Sequence, residues 1–486
     1  MNKTLLYLIY FAAYSAVLLV IGKSSLRDSD SIGKFFMCDR RLPLWRCVCT
    51  FVGTWTSAAS ILSLTGSVYE SGLSALMFSV VPWFLGALLI VLISGKLYAT
   101  GVTTVPELFR VRYGSRGLQA AYGALLATVY VLYLVIQIKG FGIVASTLFD
   151  IPYSVAILLV YLFILYTSFG GYQSVTRSDV FNLILMMMGL GVLLVIVVTR
   201  VGSLGDIYSG AAEVTGYAHA GMKYATEADD LLKPFGRGDF APLMSISMFF
   251  GWGLGLAVNP QYAVRILASR DARSAKRMIW ISLGLLAGIY FTLSSIGLGM
   301  RVLIPTVDAT LSTDEIFTYI LNNDLYSGWS GFLLFAIIGA CISTANSQLL
   351  LIASSCSCDI VGALWPRPLK ESTLVNLSRG AVLAGGTLSL LLALSPPVSL
   401  LTYGGDVWGV FSVTLLAPVF GTLLWKGTTR TGVYAALGFG LAALAVFYPL
   451  YYRGTLPLHP ALPGTLISAA ALWLGSVLCR KKEAEV

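Results

Sequence analysis

Two ionisable side chains stand where a chain can least easily keep them. Lys139 and Asp406 each fall inside a long apolar stretch, and a charge there must find a partner because hydrocarbon does not solvate it. Lys139 lies about nine residues before the outer end of its stretch, and Asp406 about eight after the outer start of its own. At a rise of ~1.5 Å per residue, both sit roughly 12–14 Å deep from the same side. The expectation is a buried ion pair or gate between Lys139 and Asp406, which as a structural pair needs no further role. Lys139 could instead serve as counter-ion to a carboxylate solute, or carry a proton.

Other reactive chemistry is scarce. The chain has 2 histidines, His219 and His459, too few for haem ligation, zinc hydrolysis or His-based nucleophilic catalysis. Of its 7 cysteines, Cys38, Cys47, Cys49, Cys341, Cys356, Cys358 and Cys479, none falls in a loop expected outside the cell. No disulfide is therefore expected, and the two C-x-C pairs read as structural thiols. The G-x-x-x-x-G-K-[ST] run of an ATP-driven pump is missing, as are the clustered carboxylates of a membrane enzyme.

The elements that carry these residues are apolar helices. Of 486 residues, 57% are hydrophobic and 11% charged, with a mean hydropathy of +0.81; an ordinary soluble domain is about 25% charged. Thirteen stretches are long enough to cross a bilayer: 5–23, 44–71, 73–100, 117–148, 152–173, 178–200, 238–268, 275–303, 328–362, 375–397, 398–426, 431–451 and 461–479. They are too long for barrel strands and lack dyad alternation, so the fold class is an all-α polytopic membrane protein.

Most of the 32 Lys and Arg follow the odd-numbered helices, among them Arg40, Arg41, Arg110, Arg112, Arg270, Arg273, Lys481 and Lys482. By the positive-inside rule the N-terminus is expected outside and the C-terminus in the cytoplasm. The net charge of +9 then reflects membrane insertion, with no nucleic acid implied. The first stretch is expected to be retained as helix 1. The loop 201–237, carrying Glu213, Glu227, Asp229 and Asp230, is expected to be external. One transmembrane domain spans 1–486: 1–42 hold helix 1 and a loop, 43–200 and 238–426 hold two halves, and 427–486 hold the last two helices and a tail.

Helices 2 and 7 read as interrupted. Helix 2 contains FVGTWTSAASILSLTGSVYESG, with Gly53 and Gly66; helix 7 contains FFGWGLGLAVNPQ, with Gly251, Gly253, Gly255 and Pro260. Glycine eases departure from helical geometry and proline removes a donor. Close packing through glycine accounts equally well for either helix alone. The two segments lie five helices apart and so cross in opposite directions. Such a pair is what inverted repeats with a midplane site between broken helices require, an arrangement of secondary transporters.

Three segments then carry a resemblance. SFGGYQSVTRSDVFNLILMMMG (168–189), GACISTANSQLLLIASS (339–355) and GVFSVTLLAPVFGTLLWKGTTRTG (409–432) resemble motifs of the sodium:solute symporter family. GWGLG (251–255) with Pro260 is similar to its sodium/proline branch, and IPYSVAILLVYLFILYTSFGGY (151–172) equally to its sodium/pantothenate branch. The resemblance implies a LeuT-like fold of two inverted five-helix repeats, helices 2–6 and 7–11. It implies a sodium ion between the carbonyls of Gly53, Thr56 and Ala340 and the hydroxyls of Ser343 and Thr344. Those hydroxyls could instead merely bond back to helical carbonyls. Asp179 takes the place of an acid tied to sodium release, although with Ser178 it could also cap helix 6. For the solute the resemblance implies Trp55, Ser57, Gln137, Trp252, Leu256 and Pro260. In the sodium/proline branch an Asp stands at Trp55 and a Tyr at Leu256, so this pocket is expected to be larger or more apolar.

The expected function is a sodium-coupled symporter of the cell membrane, importing a small organic solute by alternating access. An amino acid such as proline, pantothenate or a monocarboxylate are the candidates. No cofactor is expected beyond Na⁺ as coupling ion; the expected partners are the solute and the lipid bilayer, with no nucleic acid. A proton-coupled symporter using Lys139, or a transporter-like sensor, are the alternatives.

Overall fold

The computed structural model describes residues 3–25, 32–168, 171–308, 310–328, 330–367, 369–395 and 399–483. Among them, 11 helices are long and apolar enough to cross a membrane. In chain order the apolar helices are α1 (Lys3–Lys23), α2 (Leu44–Trp55 and Ala59–Ser71), α3 (Leu76–Ala99), α4 (Arg116–Phe149), α5 (Tyr153–Tyr166), α6 (Gly171–Val201), α7 (Pro242–Ala268), α8 (Ala272–Leu303), α9 (Leu334–Leu364), α10 (Glu371–Ala393), α11 (Leu400–Leu424), α12 (Arg430–Tyr452) and α13 (Ala461–Cys479). The bent pair in α2 makes a twelfth span, and α5 is shorter than the rest. Each of the thirteen expected stretches thus carries one of these helices among its described residues, although α5 falls short of the length test for a span. Three further α-helices of nine residues or more lie between them among the described residues: Val105–Tyr113, Leu204–Glu213 and Thr313–Asn323. The second of these lies within the stretch expected to be a polar loop.

The two expected interruptions differ. α2 turns by 66° between Trp55 and Ala59. The glycines of α7 do not break it; Phe249–Gly253 winds as a wider π-helical turn, and helix continues to Val258. The backbone leaves helical geometry only at Asn259, with ψ 119°, before Pro260 starts the next segment. Proline cannot donate to the preceding turn and pushes the residue before it out of the α region, so the proline fixes the interruption. The Asn259 side chain then caps Gln261 N at 3.0 Å and accepts from Tyr130 of α4 at 2.5 Å.

α9 is the central post. From Leu334 to Ser355 every residue is buried, and the helix packs against α2, α4, α6 and α10. Gly66 of α2 touches the start of the helix Thr313–Asn323 so closely that any side chain there would run into the Thr313 carbonyl.

Candidate functional site: a convergence at the helix breaks

Leaving the helix at Thr56 (ψ 94°) strands backbone groups that buried polar side chains must then meet. Three other helices supply partners. From α4, Gln137 Oε1 accepts from Ala58 N at 3.2 Å. From α7, Gln261 Nε2 donates to the Thr54 carbonyl at 3.2 Å and to its hydroxyl at 2.6 Å. From α9, the Thr344 hydroxyl lies 3.4 Å from the Thr54 carbonyl and 3.5 Å from that of Thr56. One hydroxyl proton at those lengths binds neither carbonyl tightly, so the three oxygens form a neutral acceptor set. Ala340 is buried one turn before Thr344 on the same helix.

Beside this set stands a carboxylate. Ser343 donates to Asp179 Oδ1 at 2.6 Å, and the Thr50 hydroxyl donates to Oδ2. Asp179 is fully buried two turns inside α6, and Ser178 bonds back to the Val175 carbonyl at 2.9 Å, so neither residue caps that helix. Gly53 allows the approach: a Cβ there would lie 3.1 Å from Ser343 Oγ and 3.6 Å from Asp179 Cβ. Gly53, Thr56, Ser343, Thr344 and Asp179 are therefore brought together.

Arg265 is an addition that the sequence reading missed. It is buried in the last segment of α7, donating to the Gln261 carbonyl at 2.7 Å, to Thr50 Oγ1 at 3.4 Å and to the Ser347 hydroxyl. Its guanidinium lies 5.6 Å from the Tyr172 ring centroid. Thr50 thus links a buried cation to the Asp179 carboxylate. Near a helix end an arginine reads as a membrane anchor, and nothing local reveals that it turns inward.

The expected pair of Lys139 with Asp406 is not what forms. Lys139 Nζ instead meets Asp314 Oδ2 at 2.7 Å, with side chains 8% and 0% exposed. Asp314 also accepts from Leu400 N, at 3.2–3.3 Å, at the start of α11. Asp406 accepts from His459 Nε2 at 3.0 Å and from the Tyr452 hydroxyl at 2.6 Å. Depth alone does not fix the direction a side chain takes round its helix. Asp314 sits on a short helix between α8 and α9 that hydropathy does not mark.

The solute candidates separate into two groups. Trp252 lies edge-on to Trp83 at 5.1 Å and to Trp408 at 4.7 Å; Trp408 reaches Tyr262 at 6.0 Å, and Tyr262 reaches Trp55 at 5.3 Å. Trp55 lies 6.3 Å from Phe84, Phe84 lies 6.4 Å from Tyr290, and Tyr290 lies 5.4 Å from Trp83, closing a circuit of rings from α2, α3, α7, α8 and α11. Trp83 Nε1, Trp252 Nε1, the Tyr262 hydroxyl and Gln137 Nε2 are buried with no hydrogen-bond partner among the described residues. Leu256 is buried one turn after Trp252, and a Cβ on Gly86 would come 2.9 Å from it. Ser57 and Pro260 form the second group: Ser57 N donates to Ser60 Oγ at 2.7 Å, and Pro260 shapes α7. Their contacts shape the breaks.

A cavity of about 520 Å³ opens beneath the segment 219–240, lined by Glu70, His219, Lys233, Arg237, Asp239 and Thr313. Glu70 lies 3.0 Å from His219 Nε2 and accepts from the Thr313 hydroxyl at 3.0 Å. Of the acids expected in this loop, Glu227 pairs with Arg237 at 2.6 Å and Asp230 with Lys233 at 2.7 Å. Burial raises the Asp230 carboxyl, but the Lys233 hydrogen bond and the Glu227 N–H outweigh it and hold the group below the usual range.

Comparison with known proteins follows the same outline. The profile of the sodium:solute symporter family matches residues 35–440. Sodium/proline symporters of Staphylococcus aureus strains JH9 and Newman are 25% identical over 504 aligned residues, covering 98% of this chain and 94% of theirs. A substrate-bound, outward-open Na⁺-coupled sialic acid symporter superposes with a TM-score of 0.78 at 16% identity, covering 98% of each chain. A nucleobase-cation-symport-1 family transporter in a closed conformation gives 0.59 at 14%, covering 93% of this chain and 94% of that one. At such identities the superpositions establish a shared, LeuT-like helical architecture.

Proposed function

The chain belongs to the sodium:solute symporter family, whose members are transporters and not enzymes, and on that premise we propose how it couples an ion to a solute. Na⁺ binds at the bend of α2, held by the carbonyls of Gly53, Thr56 and Ala340 and the hydroxyls of Ser343 and Thr344. The Thr54 carbonyl lies within reach of the same Thr344 hydroxyl and joins that set. Oxygen donors of this kind suit a hard monovalent cation. Asp179, bonded to Ser343, is the next negative charge along the path and receives the ion on its way to the cytoplasm. The observation that carries this reading is the meeting of the bent α2 with Ser343 and Thr344 of α9 over a buried carboxylate.

The solute binds beside that bend, among Trp55, Trp252, Leu256 and Gln137, with Ser57 and Pro260 setting the backbone around it. The chain spans the cell membrane with its N-terminus outside, and rocking of the two repeats exposes the site to each side in turn. The inward electrical and chemical gradient of Na⁺ drives import, at ~2.3 kcal/mol per charge per 100 mV. Lys139 and Asp314 fasten α4 to the helix Thr313–Asn323 and to the start of α11, a join that leaves Lys139 no part in carrying the coupling ion. Proton coupling through Lys139 would require that pair to break in every cycle.

Proteoliposomes test the reading. A panel of labelled amino acids, betaines, pantothenate and monocarboxylates is offered under an inward Na⁺ gradient, then under a proton gradient without Na⁺. Saturable uptake driven by Na⁺ alone is expected; uptake driven equally by protons would overturn sodium coupling.

A further inference from the structure

Resting on that placement of Na⁺ beside Asp179, we propose that one small monatomic anion, chloride, binds among α6, α7 and α9 next to Arg265 and tightens the hold on Na⁺. A cavity of about 20 Å³ lies there, with Tyr172, Arg265, Ser347 and Ser354 in its lining. Since about 10–15 Å³ is enough for one water, a monatomic ion fits and a sulfate, phosphate or organic acid does not. Two of the lining residues carry buried donors that nothing meets. Arg265 is 1% exposed and Tyr172 2%, and neither Arg265 Nε nor the Tyr172 hydroxyl has a hydrogen-bond partner among the described residues. A donor left unmet away from water costs stability, and an acceptor lodged in this cavity serves both residues.

Charge decides which acceptor. The other Arg265 N–H groups go to neutral oxygens, those of the Gln261 carbonyl and the Thr50 and Ser347 hydroxyls. The guanidinium joins no ion pair among the described residues. The carboxylate coupled to it is Asp179, reached through Thr50. Without Na⁺, Asp179 balances Arg265. Once Na⁺ takes Asp179 as its counter-charge, one buried positive charge is left over. Arg46, bonded to the neutral side chains of Gln173 and Thr176, adds further positive charge beside Tyr172 in the chain. An unbalanced charge in the interior is costly, and a neutral water does not cancel it. Chloride accepts charge-assisted hydrogen bonds from the guanidinium and restores neutrality to the set of Arg265, Asp179 and Na⁺. Each ion relieves the excess that the other creates, so each raises the affinity for the other by the same factor.

The test titrates the purified full chain with Na⁺, balanced by K⁺ to constant ionic strength, once as chloride salts and once as gluconate salts, whose anion is too large for the cavity. The readout is the Na⁺ concentration at half-maximal rise of the melting point. That concentration is expected to be at least about tenfold lower in chloride. Arg265→Gln removes the charge that calls for the anion and should make the two titrations coincide. Tyr172→Phe keeps the ring and loses the donor, so it should shrink the difference between the salts while leaving the titration in gluconate as in the parent. Stabilisation by Na⁺ in gluconate shows that each variant is folded. Coinciding titrations of the parent mean that the cavity holds water only; they overturn the chloride assignment and leave sodium coupling standing. A chloride effect that persists undiminished in both variants overturns the location. Failure of Na⁺ to stabilise the parent in either salt overturns the Na⁺ assignment and, with it, this inference.

Discussion

Lys139 and Asp314 form a buried contact whose energy can be worked from the structure. At 2.7 Å the attraction is about 6 kcal/mol for an effective dielectric constant of about 20. Removing two ions from water costs several kcal/mol each, so the intact pair gains little over two apolar side chains. Loss of one partner is different, because the other charge stays buried with its desolvation uncompensated; the expected penalty is about 3–5 kcal/mol. Lys139→Met and Asp314→Asn remove one charge each, and the asparagine keeps an oxygen for Leu400 N. Each single variant should be destabilised by that amount, and the double variant by less than either. Unfolding in detergent, followed by tryptophan fluorescence, measures the cycle. Penalties that simply add would refute the reasoning, since independent sites add within about 0.5 kcal/mol.

Two further outcomes follow from the same geometry. Asp179→Asn keeps an acceptor for Ser343 and Thr50 but removes the negative charge beside the ion, so the Na⁺ concentration for half-maximal stabilisation should rise at least about tenfold, equivalent to ~1.4 kcal/mol; an unchanged value contradicts a role for that carboxylate. Gly66→Ala pushes a methyl group into the Thr313 carbonyl and should destabilise the protein by about 1–3 kcal/mol as an overpacked contact does, and an unaltered melting point would show that the two helices part freely.

Helix positions were legible because a bilayer demands about 20 apolar residues per crossing, and that demand leaves a plain trace in hydropathy. The bend of α2 was legible for a second reason: small and hydroxyl residues around Gly53 left the backbone cheap to unwind. In α7 the glycines misled, since they were absorbed into a wider turn while Pro260 set the interruption. Ser343, Thr344 and Asp179 were found through motif resemblance, and their meeting could not have been read from spacing, as they lie on helices far apart in sequence. The partner of Lys139 was missed because a single buried contact depends on helix rotation, to which hydropathy is blind. Arg265 was missed for the same reason. The ring circuit draws on five helices, and each tryptophan alone reads equally well as a lipid-facing anchor.

The central claim is that Na⁺ binds at the bend of α2 against Ser343 and Thr344. The most direct test is the melting point of the purified protein in Na⁺ and in K⁺ at equal ionic strength, for the parent chain and for Ser343→Ala/Thr344→Ala. A ligand that binds only the folded state must raise the midpoint. The account predicts that Na⁺ stabilises the parent over K⁺ and that the double variant loses the difference. Equal melting points for the parent in both salts, or a Na⁺ shift that survives in the double variant, would contradict it.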